Sequence, residues 1–288
     1  MDAVTRIEQA LNSALMRADG PSCPPRLHAA MQHSVFPRGA RVRPRLCLAV
    51  ASACGEDDAN VSEIAAASIE LLHCASLVHD DLPCFDDAAT RRGLPSVHRA
   101  YGEPLAVLSG DALIVLAFQN LARLSYTPMR MSSLLLIVSR AVGAPSGIVA
   151  GQAWECEPNV DLAHYHRAKT GSLFSAATCA GAAAAGADPE GWRNLGETLG
   201  EAYQVADDLR DAVAEPDEIG KPIGRDEALG RPSATREFGV SGAVARLESL
   251  VRDSIAAIPP CRGAADLRAI IMLEAKRLMP KSLAQHAA

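Results

Sequence analysis

The segment that most constrains the fold is residues 62–81 (SEIAAASIELLHCASLVHDD), a long apolar run that ends in acidic residues. Apolar side chains fall almost all round its helical projection, which is the pattern of a helix buried on every side. A chain of 288 residues is long enough to bury such a helix in a sizeable core. The sequence therefore predicts a folded domain built around this segment.

Helical periodicity recurs along the rest of the chain, between gaps that contain proline and glycine. Aromatic residues make up only 4% of the chain, strand formers are sparse, and the alternating βαβ pattern is absent, so a sheet-based fold is not expected. We predict a single all-α domain of about ten or more helices. Besides 62–81, the predicted helices cover residues 3–17, 42–53, 104–124, 129–143, 165–186, 191–212, 241–257 and 264–278.

The charged and apolar residues and the cysteines limit the classes of protein to which this chain can belong. The formal net charge of −6 argues against a general nucleic-acid binder. We expect no membrane span, because no stretch of about 18 uncharged apolar residues is present, and no signal peptide, because the N-terminal segment is charged. The eight cysteines form no C-x-x-C pair and mostly lie in apolar surroundings, which is typical of reduced core cysteines in a cytoplasmic protein.

A first acidic cluster ends the apolar helix, in His79–Asp87 (HDDLPCFDD). Carboxylates there oppose the helix dipole and are costly beside a buried segment unless a cation neutralises them. Pro83 cannot continue the helix, so Asp86 is expected to fold back towards Asp80. Because carboxylate oxygens suit magnesium, we predict a metal site at Asp80, Asp81 and Asp86. A solvated acidic helix end is the alternative.

A second acidic cluster, Asp207, Asp208 and Asp211, begins 127 residues after Asp80. At about 100° per residue, Asp207 and Asp211 lie about 40° apart on a helix, with Asp208 beside them. Like charges at this spacing repel, so a shared cation explains them better than helix stability does. One such motif is a weak signal, whereas two on apolar helices are far more specific.

Basic residues accompany both clusters. Arginine and lysine bind phosphate oxygens well, so carboxylates, magnesium and cations together predict a diphosphate site. Taken singly, any of these cations could be an ordinary surface charge. The candidates are Arg43, Arg91, Arg92, Lys169 and Lys221.

These motifs resemble those of the trans-isoprenyl diphosphate synthases, the polyprenyl synthetase family, and in particular the carotenoid-type geranylgeranyl diphosphate synthases of bacteria. The resemblance rests on Glu70–Gly93 (ELLHCASLVHDDLPCFDDAATRRG), Tyr203–Asp211 (YQVADDLRD) and Gly220–Pro222 (GKP), and it spans about residues 25–280. It implies an isoprenoid synthase fold in one domain over residues 1–288, with helices around a deep central cavity. It also implies a homodimer.

The resemblance implies a prenyltransferase that condenses isopentenyl diphosphate with C5, C10 and C15 allylic diphosphates to C20 geranylgeranyl diphosphate, by magnesium-assisted ionisation, condensation and elimination. About three magnesium ions would bind the allylic diphosphate between the two acidic clusters. The cations implied for that diphosphate are Arg91, Lys169 and Lys221. Those implied for isopentenyl diphosphate are Arg43, His73 and Arg92. Thr170 and Gln204 would line the reacting carbons, and Arg231 keeps the charge of a lysine that is usual in the family.

Besides Arg231, two departures from the family pattern bear on activity. The lysine that usually follows the glycine at position 39 is Ala40 here, which removes an expected contact to isopentenyl diphosphate. Arg210 occupies a position in the second cluster where an apolar residue is common. Because both acidic clusters are complete, we predict an active enzyme. A non-catalytic partner subunit and a terpene cyclase are the alternatives, although a cyclase has no need for a second diphosphate site.

Product length is predicted from the end of the apolar helix. By resemblance, farnesyl synthases carry an aromatic floor at the position of Ala75, five residues before Asp80. Ala75 and Ser76 are both small, so we expect the cavity to extend about 5.4 Å deeper, with Leu71 and Leu72 as the next floor. A C20 product fits this depth. The alternatives are a C15 product and an Ala75 that only packs against a neighbouring helix. Carotenoid, bacteriochlorophyll and diterpenoid pathways all remain open downstream.

Overall fold

The computed structural model of the protein describes residues 2–37, 39–213 and 233–278. Nearly all regular structure in these ranges is helical, as predicted. The α-helices are α1 Ala3–Ala18, α2 Pro25–Val35, α3 Val42–Cys54, α4 Ala59–Asp80, α5 Val97–Tyr101, α6 Glu103–Ala122, α7 Pro128–Val142, α8 Ile148–Ala153, α9 Leu162–His166, α10 Ser172–Ala184, α11 Arg193–Val213, α12 Ala234–Ala256 and α13 Ala264–Leu278. Short 3₁₀ turns occur at Arg123–Tyr126, Trp154–Cys156 and Glu190–Trp192, and the strands β1 Thr90–Arg91 and β2 Leu94–Pro95 pair as an antiparallel hairpin.

Helix α4 lies at the centre of the bundle and packs against α1, α2, α3, α6 and α10. It begins after Asp58, whose carboxylate accepts a hydrogen bond from the amide of Asn60 at 3.0 Å and so caps the helix. The small side chains of residues 65–67 are completely buried, which lets neighbouring helices approach closely. The buried helix that the sequence predicts is therefore confirmed, and it delivers Asp80 to the end of the core.

The helix predicted over residues 165–186 is divided. Leu162–His166 is α-helical, Arg167–Gly171 forms a π-helical turn, and Ser172–Ala184 continues as α10. A π-turn interrupts the α-helical register and is frequent at functional sites. This turn contains Lys169 and Thr170, two of the predicted site residues.

Several elements were missed by the sequence analysis: α2, α5, α8 and the β1–β2 hairpin. Helix α2 begins with Pro25, and proline suits the first turn of a helix although it was interpreted as part of a gap. The helix predicted over 241–257 begins earlier, at Ala234, and is interrupted at Gly239, where φ is 68°.

Two helical stretches among the described residues are long and apolar enough to cross a membrane, although charged residues such as Glu70 and Asp111 interrupt them, so that neither contains 18 uncharged apolar residues in a row. They are Ala59–Asp80, with a mean hydropathy of 1.4, and Glu103–Tyr126, with 1.7. Within their most apolar windows, 78% of the first is buried inside the protein and 44% of the second. A buried core helix meets the same criteria, and the absence of a span stays a prediction.

All eight cysteines are free. Cys47 and Cys74 are buried, as predicted, and burial raises the pKa of each thiol to about 12. Cys84 and Cys156 are exposed, so the core interpretation does not extend to every cysteine.

Candidate active site

The first acidic cluster folds back on the end of α4. The amide of Asp86 donates to the carbonyl oxygen of Asp80 at 2.9 Å, and the amide of Ala88 donates to that of Asp81 at 3.1 Å. Pro83 lies within this turn and has no N–H with which to continue the helix. The predicted return of Asp86 towards Asp80 is confirmed.

Asp81 forms an ion pair with Arg91. The arginine Nε donates to Oδ1 at 3.0 Å and to Oδ2 at 3.2 Å, and Nη2 also contacts Oδ1. The Asp81 side chain is only 3% exposed, and burial raises its pKa despite the arginine. Arg91 lies on β1, so the hairpin positions it. Because a guanidinium carries five N–H donors, Arg91 can keep this pair and still contact a diphosphate.

Lys169 lies between two carboxylates, those of Glu155 and Asp80. Its Nζ contacts Glu155 and lies 3.8 Å from Oδ1 of Asp80. Glu155, which the sequence analysis missed, also accepts hydrogen bonds from the Tyr165 hydroxyl at 2.6 Å and from Nε2 of Gln152 at 3.1 Å. Within the described part of the chain, Oδ1 of Asp80 is buried without a hydrogen-bond partner, and burial raises the pKa of Asp80 to about 6. Asp80 therefore offers an acceptor that a cation would satisfy.

A chain of polar side chains begins at the next residue, Thr170. Its hydroxyl donates to Oε1 of Gln204 at 2.8 Å, and Nε2 of Gln204 donates to Oδ1 of Asp208 at 3.0 Å. The other oxygen of Asp208 accepts from the amide of Ala234 at 2.7 Å. The adjacent residues Lys169 and Thr170 therefore connect the first acidic cluster to the second, so the structure brings both clusters to one site.

The remaining members of the second cluster, Asp207 and Asp211, are partly exposed on α11. Nη1 of Arg210 contacts Oδ1 of Asp207, so the unusual arginine forms an ion pair with the cluster. Lys221 and Arg231 lie outside the described residues, and their roles stay predictions.

A second group of cations lies around α3 and α4. Cζ of Arg43 is 4.6 Å from the ring centroid of Phe174, and its Nη1 is 3.3 Å from Nε2 of His73. Burial, and then the charge of Arg43, hold the pKa of His73 well below its ordinary value. The imidazole is therefore neutral and can accept from Arg43. Arg92 also acts electrostatically on both residues and packs against Gly39, where a Cβ would lie 2.6 Å from the guanidinium carbon.

A buried ion-pair network supports this second group, and the sequence analysis missed it. Nη1 of Arg41 donates to Glu70 at 2.7 Å, Nε donates to Glu8 at 2.9 Å, and Nη2 donates to the carbonyl of Val35 at 2.8 Å. Glu70 is 1% exposed and lies 3.9 Å from Nη2 of Arg92. An acidic residue inside the apolar helix was the available signal, because a buried carboxylate needs a partner.

The predicted floor residues lie on α4 before Asp80. Ala75 is 1% exposed and belongs to the main hydrophobic core, as do Leu71 and Leu72. Ser76 is half-buried, and its hydroxyl donates to the carbonyl of His73 at 2.8 Å. The small side chain at position 75 therefore lies in the core, and its role as a floor stays a prediction.

The donor set fits magnesium that shares its coordination with a diphosphate. Among the described residues, no three His, Cys, Asp or Glu side chains are grouped closely enough to hold a metal ion by themselves. Magnesium, however, is commonly bound by one or two carboxylates together with water and substrate phosphates. The buried Oδ1 of Asp80, which has no hydrogen-bond partner among the described residues, and the partly exposed carboxylate of Asp207 suit that mode of binding.

The chain is similar in sequence and in fold to known proteins. The chain is 51% identical to the geranylgeranyl diphosphate synthase of Cereibacter sphaeroides, in an alignment of 280 residues that covers 97% of each chain. It is 50% identical over 275 residues to that of Rhodobacter capsulatus, which covers 95% of both. A geranyltransferase structure from Helicobacter pylori, complexed with magnesium and isoprenyl diphosphate, matches with a TM-score of 0.81 at 30% identity, over 96% of this chain and 95% of that one.

The predicted fold and enzyme class are confirmed. An FPP/GFPP synthase structure from Zymomonas mobilis also matches, with a TM-score of 0.81 and 29% identity over 95% of this chain and 97% of that one. The family model of the polyprenyl synthetases matches residues 24–255, most of the chain. The sequence motifs, the all-α fold and these matches agree that the chain belongs to the polyprenyl synthetase family of prenyltransferases.

Proposed function

We propose that the protein is a geranylgeranyl diphosphate synthase, which extends allylic diphosphates with isopentenyl diphosphate to a C20 product. The observation that carries the proposal is the π-helical turn, in which Lys169 approaches Asp80 while Thr170 bonds to Gln204. This turn gives one site both acidic clusters and a cation for the leaving group. The two relatives that share about half of the residues favour a C20 over a C15 product.

Magnesium, when bound, would neutralise the allylic diphosphate and stabilise it as the leaving group. The carboxylates proposed to hold it are those of Asp80 and Asp86 on one wall and of Asp207 and Asp211 on the other, with about three ions predicted. Asp81, predicted as a further ligand, keeps Arg91 in place through its ion pair.

The side chains of this site would bind the two substrates separately. Arg91 and Lys169 contact the allylic diphosphate and stabilise the charge that develops as its C–O bond breaks. Arg43, His73 and Arg92 hold the diphosphate of isopentenyl diphosphate. Its double bond then attacks the allylic carbon, and the proton released passes to the departed diphosphate. The apolar helix surfaces exclude water from the allylic cation.

Product chromatography tests this function. Purified protein is incubated with magnesium, isopentenyl diphosphate and C5, C10 or C15 primers, and the dephosphorylated products are separated by length. A C20 alcohol is expected from every primer. Arrest at C15 would make it a farnesyl synthase, a hydrocarbon from geranylgeranyl diphosphate alone would make it a cyclase, and the absence of product would indicate a non-catalytic subunit.

The depth of the cavity is tested at Ala75. Because this side chain is small and buried on α4, Ala75→Phe is expected to shift the main product from C20 to C15, while the first condensation is retained. Ala75→Ser, which adds only one oxygen, is the matched control and should still make C20. A variant Ala75→Phe that makes mainly C20 would contradict the role of this position as a floor.

A homodimer is the predicted assembly, and the surface of α6 supports it. Val107, Leu108 and Val115 project from this helix and are 41%, 52% and 54% exposed. A second copy that packs on this face would bury them. Light scattering should give a dimer mass, which Leu108→Glu lowers and Met272→Glu, at an exposed apolar position on α13, leaves unchanged. A monomeric unmodified protein would contradict the assignment.

The cytoplasmic location stays a prediction from the sequence, and the downstream pathway stays open among carotenoid, bacteriochlorophyll and diterpenoid products, of which the resemblance favours the carotenoid one. Cell fractionation of the organism that carries the gene tests the location. Pigment analysis after deletion of the gene tests the pathway, because loss of carotenoids alone distinguishes it from the bacteriochlorophyll and diterpenoid alternatives.

A further inference from the structure

Asp208 differs from its neighbours in the second acidic cluster. It is 4% exposed, whereas the side chain of Asp207 is 47% exposed. Both of its oxygens accept protein hydrogen bonds, from Nε2 of Gln204 at 3.0 Å and from the amide of Ala234 at 2.7 Å. Nε2 of His166 lies 3.9 Å from the same oxygen that Ala234 contacts. The protein itself therefore surrounds this carboxylate.

The direction of this hydrogen-bond chain is determined at its buried end. An ionised carboxylate can only accept hydrogen bonds, so Gln204 must turn its NH₂ group towards Asp208. The amide oxygen of Gln204 then faces Thr170, and the Thr170 hydroxyl has to donate to it. The carboxylate of Asp208, as the acceptor at the end of the chain, thus determines which way the hydroxyl proton of Thr170 points.

The carboxylate of Asp208 also binds the N-terminus of the next helix, α12. Ala234 is the first residue of α12, and its amide would otherwise be one of the unpaired N–H groups at a helix start. Ser233, at the N-cap position, has its hydroxyl 2.9 Å from that of Thr235. A negative charge at a helix N-terminus is favourable, so Asp208 of α11 provides a cap for α12 from outside that helix.

We infer that Asp208 is a positioning residue, which fixes the orientation of Gln204 and Thr170 and holds α12 against α11, and that it is not a magnesium ligand. The inference deepens the proposed function, since Gln204 and Thr170 matter through the site in which they lie. It departs from the sequence-based prediction, which gave all three aspartates of the second cluster to the metal.

Two substitutions separate the two roles. In Asp208→Asn the asparagine oxygen can still accept from Ala234, but its NH₂ group faces Gln204. The glutamine amide must then flip and donate to Thr170, which reverses the chain. The double variant Gln204→Glu with Asp208→Asn exchanges the acid and the amide at the same total charge. There the glutamate accepts from both neighbours, and Thr170 donates again.

Binding of inorganic diphosphate at increasing magnesium concentration, measured by calorimetry, tests the metal role without turnover. Asp208→Asn is expected to shift the half-saturating magnesium concentration by less than about threefold, whereas Asp207→Asn, the matched control, shifts it by more than about tenfold. A shift in Asp208→Asn as large as that in Asp207→Asn would overturn the inference.

Kinetics test the positioning role. Asp208→Asn is expected to lower kcat by more than about tenfold with little change in either KM, and the double variant should recover at least half of that loss on a logarithmic scale. A double variant no faster than Asp208→Asn would overturn the inference. If Asp207→Asn also left the magnesium dependence unchanged, the metal site of the proposed function would fail, while the recovery of kcat would still decide the role of Asp208.

Discussion

Restoring the lysine that the family usually has at position 40 is expected to strengthen the binding of isopentenyl diphosphate. Ala40 is exposed and follows Gly39, against which Arg92 packs. Arg41 is the nearest cation that could take over the missing contact, but it donates to Glu70, Glu8 and a backbone carbonyl. The structure therefore places an uncharged side chain at position 40 and, beside it, a buried arginine whose Nε, Nη1 and Nη2 each already donate a hydrogen bond.

Whether Arg41 can replace the missing lysine depends on the free energies of the contacts that it would lose and gain. Breaking a buried ion pair costs about 3–5 kcal/mol, whereas a hydrogen bond to a charged group contributes about 1.5–3 kcal/mol. Arg41 would therefore lose more by leaving Glu70 than it would gain from the substrate. A lysine at position 40 breaks no such pair. Because the position is exposed and close to Arg43 and Arg92, the low end of the range applies, which corresponds to about a tenfold change in affinity.

Initial rates measure this effect. At a saturating concentration of the allylic substrate, Ala40→Lys should lower the KM for isopentenyl diphosphate about tenfold, with the allylic KM unchanged. Ala40→Met, which has a long side chain without charge, is the matched control and should leave both constants unchanged. The gain should shrink as salt is raised, because the contact is exposed to screening. An unchanged KM in Ala40→Lys at low salt would refute the reasoning and show that another cation already makes the contact.

Three further outcomes are expected. Asp80→Ala and Asp207→Ala should each lower kcat by about 10²–10³-fold, and near-normal turnover in either would contradict the metal site. Neither should lower the unfolding midpoint of the metal-free protein, because the buried Oδ1 of Asp80 has no hydrogen-bond partner among the described residues and the ion pair of Asp207 with Arg210 is exposed and contributes little. Arg210→Leu should lower the magnesium concentration for half-maximal rate by up to about fivefold, the value of an exposed ion pair near 1 kcal/mol, and Arg210→Lys, which keeps the charge, should not. Glu155→Gln should lower kcat by about 10–100-fold, because it removes the carboxylate that holds Lys169, and should leave the KM for isopentenyl diphosphate unchanged. A kcat within twofold of normal would show that Glu155 does not position the lysine.

The sequence predicted the parts of the site that follow from local physics. The apolar run required a buried helix, and Pro83 required that helix to end, which returned Asp86 towards Asp80. The helical spacing of Asp207 and Asp211 likewise placed both on one face of α11. Each of these expectations depends on residues close together in the sequence, so each could be made without knowledge of how the helices pack.

The ion pairs across the site could not be predicted in the same way. Glu155 contacts Lys169 across a turn that contains a π-helical segment, whose altered register leaves no mark on the apolar periodicity. The pairing of Arg41 with Glu8 and Glu70 joins three segments that are distant along the chain. A buried acid reveals that it needs a partner, but only the packing of the helices shows which partner it has.

Two cations of the site, Arg91 and Lys169, are paired with carboxylates before any substrate arrives, and this has a consequence for binding. Arg91 is held by Asp81, and Lys169 is held by Glu155 close to Asp80. Unpaired, these cations would lose side-chain freedom on meeting a diphosphate; held by carboxylates, they are already ordered. The diphosphate then adds contacts to side chains whose positions are fixed, and the carboxylates that fix them prevent mutual repulsion in the free enzyme. Preorganised charge of this kind favours the leaving diphosphate without the rearrangement that water would require.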